Sequence, residues 1–229
     1  MKKNKKVEIF EGDRATHYDN FIHHFFPNYD FVMKSIPMLV KGMLSSVAVP
    51  RILVVGAGTG NEVKKIAAID DDWKIDACDP SEEMIIIAKN KLATYKNISL
   101  YQCTIEELPT TNSYDVITLL LVLHFLSDDG EKENLLREIY NRLETGGSLI
   151  VFDICGTREE LEQNFKILSH SFPDNWSQEE KDMRKQRILN VLNVISEERF
   201  KSLAEKAGFD TVVKFHQSTI TKAWILTKN

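Results

Sequence analysis

From Pro50 onward, the apolar and polar positions of the chain alternate between two periods. Short apolar runs, typical of buried parallel strands, alternate with segments whose apolar residues recur at helical spacing. The pattern predicts strands at 51–55, 74–79, 98–102, 114–121 and 147–154, and helices at about 60–69, 81–94 and 131–143. This order of elements predicts an α/β domain built on a parallel sheet.

Helix-like segments precede this region and interrupt it after the fifth strand. Residues 13–49 have helical periodicity that is broken at Pro27 and again at Pro37, near the start of a second helix. A charged helical insertion follows at about 157–193. We therefore predict a single domain over residues 1–229, with a helical cap at 1–49 and the insertion as a second part of the cap.

The end of the chain predicts a different kind of pairing. Ser196–Ala207 is predicted to form a helix that ends at Gly208. Two strand-like runs follow at 210–216 and 220–227, close enough in sequence to pair as an antiparallel hairpin. Gly146 and Gly147 are predicted to end the helix before the fifth strand. The predicted sheet is therefore mostly parallel, with an antiparallel hairpin at its carboxyl-terminal end.

Composition narrows the class of protein. The 229 residues carry a net charge of -5, which gives no reason to expect broad nucleic-acid binding. The longest apolar stretch, Val116–Leu126, is too short to span a bilayer, and no apolar run follows the basic start MKKNKK. We expect that start to be solvated and disordered rather than a secretory signal. The cysteines lack CxxC spacing and predict reduced, buried thiols in a cytoplasmic protein: Cys78, Cys103 and Cys155.

The most informative motif is the run Arg51-Ile-Leu-Val-Val-Gly-Ala-Gly-Thr-Gly60, followed by Asp79 at the end of the second strand. Glycine allows close approach of a ligand to the backbone and tolerates a positive φ. A carboxylate at the tip of the second strand can accept hydrogen bonds from a ribose diol. The carboxyl ends of parallel strands form such crevices, so the motif predicts a site for an adenosine-containing cofactor.

The glycine spacing resembles that of the Rossmann-like, class I S-adenosylmethionine-dependent methyltransferases. Gly56, Gly58 and Gly60 form G-x-G-x-G rather than the dinucleotide pattern G-x-G-x-x-G, and Glu62 would repel a pyrophosphate at the helix start. Val55 departs from the polar residue that many members carry there. The resemblance implies a seven-stranded sheet that ends in a hairpin, which disfavours an NAD-dependent oxidoreductase.

The resemblance also implies which residues contact S-adenosyl-L-methionine. Asp79 would hold the ribose hydroxyls, and Thr104 stands where the family places an aspartate for the adenine amino group. Tyr18 and Tyr29, in two motifs that resemble the cap helices of small-molecule methyltransferases, would close over the methionine end. The full set of implied cofactor contacts is Tyr18, Tyr29, Gly56, Ala57, Gly58, Gly60, Asp79, Pro80, Met84, Thr104, Ile105, Leu120 and Leu121.

The implied reaction moves a methyl group to a small-molecule acceptor, with His124 as the candidate general base and a hydrogen-bonded structural histidine as the alternative. No His, Asp and Glu cluster has metal-ligand spacing, and a homodimer is left open. Two further classes also stay open. One is a carboxy-S-adenosylmethionine synthase, whose inserted helix resembles the segment with Arg184 and Arg187, although Leu120 replaces its pocket asparagine. The other is a non-catalytic cofactor-binding subunit.

Overall fold

The apolar runs after Pro50 form one mixed sheet with helices on both faces. The computed structural model describes residues 12, 15, 17–109 and 112–229, so the basic start of the chain lies outside the described residues. The strands are β1 Arg51–Val55, β2 Lys74–Cys78, β3 Ile98–Tyr101, β4 Tyr114–Leu120, β5 Leu143–Ile154, β6 Thr211–Ser218 and β7 Thr221–Thr227. Within the described residues the sheet has seven strands in the order β3-β2-β1-β4-β5-β7-β6.

The helices occupy the segments that helical periodicity predicts. They are α1 Tyr18–Phe25, α2 Tyr29–Met43, α3 Asn61–Ala67, α4 Glu82–Lys91, α5 Glu131–Arg142, α6 Arg158–Leu168, α7 Gln178–Asn190 and α8 Glu197–Ala207. One-turn 3-10 helices lie at Ile105–Glu107, Leu123–Phe125 and Ser169–Ser171. The predicted cap segments are therefore helical, with α1 and α2 before the sheet and α6 and α7 after β5.

The sheet is parallel except at its carboxyl-terminal edge, as predicted. β1 pairs with both β2 and β4 in parallel, whereas β7 lies antiparallel between β5 and β6. The chain leaves β1 toward β2 on one side and returns to β4 on the other, so the strand order reverses there. Ligands of open α/β sheets bind at the carboxyl ends of the strands at such a reversal.

Two apolar cores cover the faces of the sheet. On one face α3 and the helices α1, α2 and α6 pack together, with Val32, Ile36 and Phe165 all buried. On the other face α5 and α8 pack through Leu136 and Phe200. The cap helices therefore share the first core with the strands.

Two predictions are wrong, one for a proline and one for a pair of glycines. Pro37 lies inside α2 rather than near a helix start. It removes the hydrogen bond to the Met33 carbonyl, a change that costs about 3 kcal/mol in a helix interior. The helix continues because Val32, Ile36 and Val40 bury its apolar face in the first core.

Gly146 and Gly147 do not end the preceding helix, because α5 already ends at Arg142. Both glycines lie inside β5, where its register with β4 shifts. The Gly146 N–H donates to the Lys228 carbonyl at 2.7 Å, and a Cβ at Gly147 would lie 2.8 Å from the Glu144 carbonyl oxygen. The glycines therefore permit a bulge at the start of a strand, which carries the same local signal as a helix end.

Candidate functional site

The glycine turn after β1 is held against the end of β2. Because Val55 pairs with Cys78, the residues that follow the two strands lie side by side. The N–H groups of Gly56 and Ala57 both donate to the Cys78 carbonyl, at 2.9 and 3.0 Å. Gly56 has a φ of +73°, and a Cβ there would lie 2.4 Å from Val122 Cγ2. A side chain at this turn would therefore collide with the loop after β4.

Asp79 links this turn to the first residues of α4. Its Oδ2 accepts a hydrogen bond from the Gly58 N–H and its Oδ1 accepts one from the Ser81 N–H, both at 2.9 Å. Burial raises the pKa of the Asp79 carboxyl, while these two N–H groups act in the opposite direction. Each carboxylate oxygen keeps a further lone pair. Asp79 can thus fix the turn and accept hydrogen bonds from a ligand at the same time.

A cleft with about 1070 Å³ of unfilled space lies beside this carboxylate, at the carboxyl ends of β1, β2 and β4. A Cβ at Gly58 would meet no heavy atom within 4 Å, so the turn is open on this side. Most of the residues predicted to contact a cofactor line the cleft: Tyr18, Gly56, Gly58, Asp79, Pro80, Met84, Thr104, Ile105, Leu120 and Leu121. Its open glycine surface beside a carboxylate fits an adenosine-containing group.

Three predicted contact residues do not line the cleft. Tyr29 is buried at the start of α2, where its ring meets the ring of His23 edge-on at 5.0 Å. Ala57 is buried within the turn. Gly60 caps α3, and a Cβ there would lie 3.0 Å from Leu92 Cδ1. The absence of a side chain at Gly60 therefore allows α3 and α4 to pack closely. The G-x-G-x-G pattern alone does not distinguish this packing role from contact with a ligand.

Thr104 lines the cleft but is also engaged in a helix cap. Glu107 Oε2 accepts hydrogen bonds from the Thr104 N–H at 2.9 Å and from its hydroxyl at 3.3 Å. The hydroxyl can still accept a hydrogen bond through its oxygen, which is the role implied for an adenine amino group. The Thr-Ile-Glu-Glu sequence is thus a capping box as well as a candidate contact.

Several residues that line the cleft were not predicted: Val55, Cys78, Cys103, Glu106, Val122, Leu126, Glu131 and Leu135. Val55 and Cys78 end their strands, and Cys103 and Glu106 flank Thr104. Their place at strand ends was a usable signal. No such signal exists in the sequence for Glu131 and Leu135. They lie in the first turns of α5 and reach the cleft only because this helix packs against it.

A second cavity, with about 580 Å³ of unfilled space, adjoins the cleft and is covered by the cap. Tyr18, Leu121 and Phe125 line both spaces. Leu121 has a φ of +58°, rare for a residue other than glycine, and its N–H donates to the Phe152 carbonyl at 2.7 Å. Burial and, to a lesser extent, the nearby Tyr29 raise the pKa of the Tyr18 phenol far above its ordinary value.

The cavity is mainly apolar, with a few polar side chains. Its remaining lining residues come from α1 and α7, from the residues that follow these helices, from the 3-10 turn after β4 and from the end of β5. They are Phe21, Ile22, Phe25, Phe26, His124, Ile154, Arg184, Arg187, Ile188 and Leu192. A largely apolar cavity with a small number of polar groups is typical of sites for small organic molecules.

His124 is fixed in this wall by a buried carboxylate. Its Nδ1 lies 2.5 Å from Asp153 Oδ1, and both side chains are almost fully buried. Since an ionised carboxylate only accepts, Nδ1 carries the hydrogen and Nε2 is left as the basic nitrogen. Asp153 also accepts the N–H groups of Leu123 and Ile154, each at 2.7 Å. Asp153, at the end of β5, was not predicted, because a single acidic residue in an apolar run gives no indication of its partner.

Lys132 stabilises the 3-10 turn that contains His124. Its buried ammonium donates to the carbonyls of Leu123 and Leu126, which bracket His124. Burial lowers the pKa of Lys132 to about 8, although the nearby Asp153 acts in the opposite direction. Lys132 and Asp153 therefore restrain this turn from two sides.

The part of the chain that the structure describes contains no group of three or more His, Cys, Asp or Glu residues that could hold a metal ion. In the same residues, no helix is both long and apolar enough to cross a membrane. Cys78 and Cys155 are buried and Cys103 is partly exposed, and all three are free thiols.

Comparisons with known proteins agree with this geometry. A family model described as a methyltransferase domain matches residues 52–147, which include the glycine turn, Asp79 and β4. A carboxy-S-adenosyl-L-methionine synthase from Campylobacter fetus is 27% identical over 214 residues, which cover 91% of this chain and 89% of that protein. A malonyl-acyl-carrier-protein O-methyltransferase from Bacillus cereus is 30% identical over 134 residues, or 58% of this chain and 48% of that protein.

A solved structure gives the same result for the fold. The plantazolicin methyltransferase BpumL, in complex with a pentazolic desmethylPZN analog and SAH, has a TM-score of 0.68 at 17% identity. The match covers 96% of this chain and 92% of that protein. Sheet order, family match and relatives agree. Residues 52–147 form a methyltransferase domain, and the sheet order and the relatives support the Rossmann-like, class I family of S-adenosylmethionine-dependent methyltransferases.

Proposed function

We propose that this protein transfers a methyl group from S-adenosyl-L-methionine to a small-molecule acceptor bound under the cap. The observation that carries the proposal is the pair of adjoining spaces with a common wall of Tyr18, Leu121 and Phe125. One space has the open glycine turn and a carboxylate, and the other has a histidine held by a carboxylate. Two partners bound in these spaces would meet at the common wall, and the cap would exclude water.

The cofactor would supply an electrophilic methyl group, and the residues of the cleft would hold it. Asp79 accepts from the ribose hydroxyls, while Gly56 and Gly58 allow the methionine end to approach the backbone. Thr104 and Ile105 contact the adenine. Apolar contacts come from Pro80, Met84, Leu120 and Leu121, and Tyr18 closes the methionine end. Ala57, Gly60 and Tyr29 act indirectly, since they support the turn and the cap.

His124 would act as the general base for the acceptor. Its Nε2 takes the proton that an acceptor hydroxyl or amine loses as the new bond to carbon forms. Asp153 is a positioning residue, because it selects the tautomer with a basic Nε2 and stabilises the imidazolium that results. The net charge of -5 supports a small organic acceptor rather than a nucleic acid.

Calorimetry with three ligands tests the cofactor assignment. We expect S-adenosylmethionine and S-adenosylhomocysteine to bind and NAD not to bind. Asp79→Ala should weaken binding by about 2 kcal/mol, about thirtyfold in Kd, because charge-assisted hydrogen bonds to the ribose are lost. Asp115→Ala is the matched control. Asp115 accepts the N–H of Arg51 at 2.8 Å, at the opposite end of the strands, so its loss should leave the Kd unchanged.

Two results would contradict this assignment. One is an unchanged Kd in a folded Asp79→Ala protein, which would separate the carboxylate from the ligand. The other is binding of NAD in preference to S-adenosylmethionine, which would assign the cleft to a dinucleotide. Thermal unfolding of each variant shows whether the glycine turn survives the substitution.

A second candidate is a carboxy-S-adenosylmethionine synthase. The observation in its favour is the Campylobacter relative, whose similarity extends over nearly the whole of both chains. Leu120 argues against it, because it lines the cleft where that family is expected to place an asparagine. Mass spectrometry of ligand released from the purified protein distinguishes the two, since the carboxylated cofactor is heavier by one carboxyl group.

A further inference from the structure

The cavity under the cap contains a cation in unusual surroundings. Arg184 comes from α7, and its guanidinium carbon lies 4.0 Å from the ring centroid of Trp176 and 4.9 Å from that of Phe21. Such contacts hold a guanidinium over aromatic faces without satisfying its N–H groups. The two rings are themselves nearly parallel, with centroids 6.4 Å apart. The Arg184 guanidinium thus contacts two aromatic side chains that stack on each other.

The hydrogen-bonding capacity of Arg184 is not used up. Its Nε is buried, and no hydrogen-bond partner for it exists in the part of the chain that the structure describes. Burial lowers the pKa of Arg184, and Glu180, one turn earlier on α7, acts in the opposite direction. A buried donor without a partner is costly, so its retention in a cavity wall points to a ligand.

The shape of the guanidinium selects the kind of ligand. The edge that contains Nε presents two N–H groups in one plane, which matches the two oxygens of a carboxylate. The rest of the cavity is apolar and aromatic, from Phe25, Phe26 and Ile188 among others.

We propose that the methyl acceptor carries a carboxylate on an apolar, ring-sized body, and that the Arg184 guanidinium binds this carboxylate. The inference rests on the proposed function, because it names the acceptor class of the same site. The apolar body lies among the cap side chains, and the group to be methylated is directed toward the common wall and His124. Arg187 lines the same cavity and adds positive charge there, but the proposal depends on Arg184 alone.

Matched acids and amides test this inference. The protein is saturated with S-adenosylhomocysteine and then titrated with 3-(4-hydroxyphenyl)propanoate, indole-3-acetate and octanoate, and with the primary amide of each. We expect an acid to bind with a Kd about tenfold or more below that of its amide, the factor given by a charge-assisted hydrogen bond. Arg184→Met should remove this preference, and Arg184→Lys should keep part of it because the charge remains.

Lys185→Met is the matched control, since it removes one positive charge from the same helix at a residue that does not line the cavity. It should keep the full preference for the acid. Arg184→Met and Lys185→Met should both bind S-adenosylhomocysteine as the unchanged protein does, which also shows that they fold.

Three outcomes would overturn the inference. The first is equal binding of acid and amide for every pair, and the second is a preference that persists in Arg184→Met. The third is tighter binding of phenyl phosphate than of any acid, which would assign the cavity to phosphate esters. Failure of S-adenosylhomocysteine to bind would instead contradict the proposed function. The two failures are therefore distinguishable in one series of titrations.

Discussion

Replacing Asp153 by alanine is expected to lower the free energy of unfolding by about 4 kcal/mol, since each buried donor left without a partner costs about 1–3 kcal/mol. Three donors lose their acceptor together: the N–H groups of Leu123 and Ile154 and Nδ1 of His124. Asp153 is 2% exposed, so water cannot replace it without opening the site. The buried Lys132 ammonium also loses a nearby negative charge.

Urea unfolding followed by circular dichroism measures this loss. Asp115→Ala is again the matched control, because Asp115 accepts a single backbone N–H and is only partly buried. We expect the control to cost about 1 kcal/mol, the ordinary value for one hydrogen bond. A loss of the same small size in Asp153→Ala would show that the three contacts are not important for stability.

Replacing His124 by asparagine is expected to lower kcat for methyl transfer by about a hundredfold, the lower end of the range for a positioned general base. The asparagine amide can still donate to Asp153, as Nδ1 does, while the second ring nitrogen is lost. The variant should therefore fold, bind S-adenosylmethionine normally and fail at proton removal. Steady-state kinetics with a carboxylic-acid acceptor that the protein methylates separate an effect on kcat from one on KM.

His23→Asn is the matched control for this variant. His23 also pairs with an aspartate, Asp30, through Nδ1 at 2.8 Å, but its side chain is 43% exposed and does not line either space. Its replacement should leave kcat unchanged. A kcat for His124→Asn within about twofold of the unchanged protein would assign His124 a structural role, with catalysis by proximity alone.

The local signals of the chain predicted the sheet well. The strand at 51–55 was predicted with the bounds that β1 has, and the hairpin at the carboxyl-terminal end is present as β6 and β7. Each of these depends on residues adjacent in sequence, namely an apolar run and the turn residues at its ends. Pairing then follows from the rule that βαβ units form parallel sheets.

The wrong predictions arose where one local signal has two structural meanings. A pair of glycines can end a helix or form a bulge, and Gly146 and Gly147 form a bulge in β5, where the Gly146 N–H donates to the Lys228 carbonyl just after β7. Pro37 normally breaks a helix, yet burial of its neighbours in α2 outweighs the lost hydrogen bond. In both cases packing with distant residues decided the outcome.

The sequence by itself determined the first half of the site. Gly56, Gly58 and Asp79 follow strands that must lie side by side, so their proximity is a consequence of the parallel sheet. It also indicated the class I methyltransferase family, because the spacing of those residues and the final hairpin can be recognised along the chain.

Only the tertiary structure decided the second half. His124 meets Asp153 across 29 residues, and the Arg184 guanidinium contacts the aromatic rings of Phe21 and Trp176. The apolar pattern shows that these helices pack, but it contains no information on which partners meet. Those contacts depend on how the cap helices pack against the sheet and each other, and this packing is set by the shapes of many side chains together.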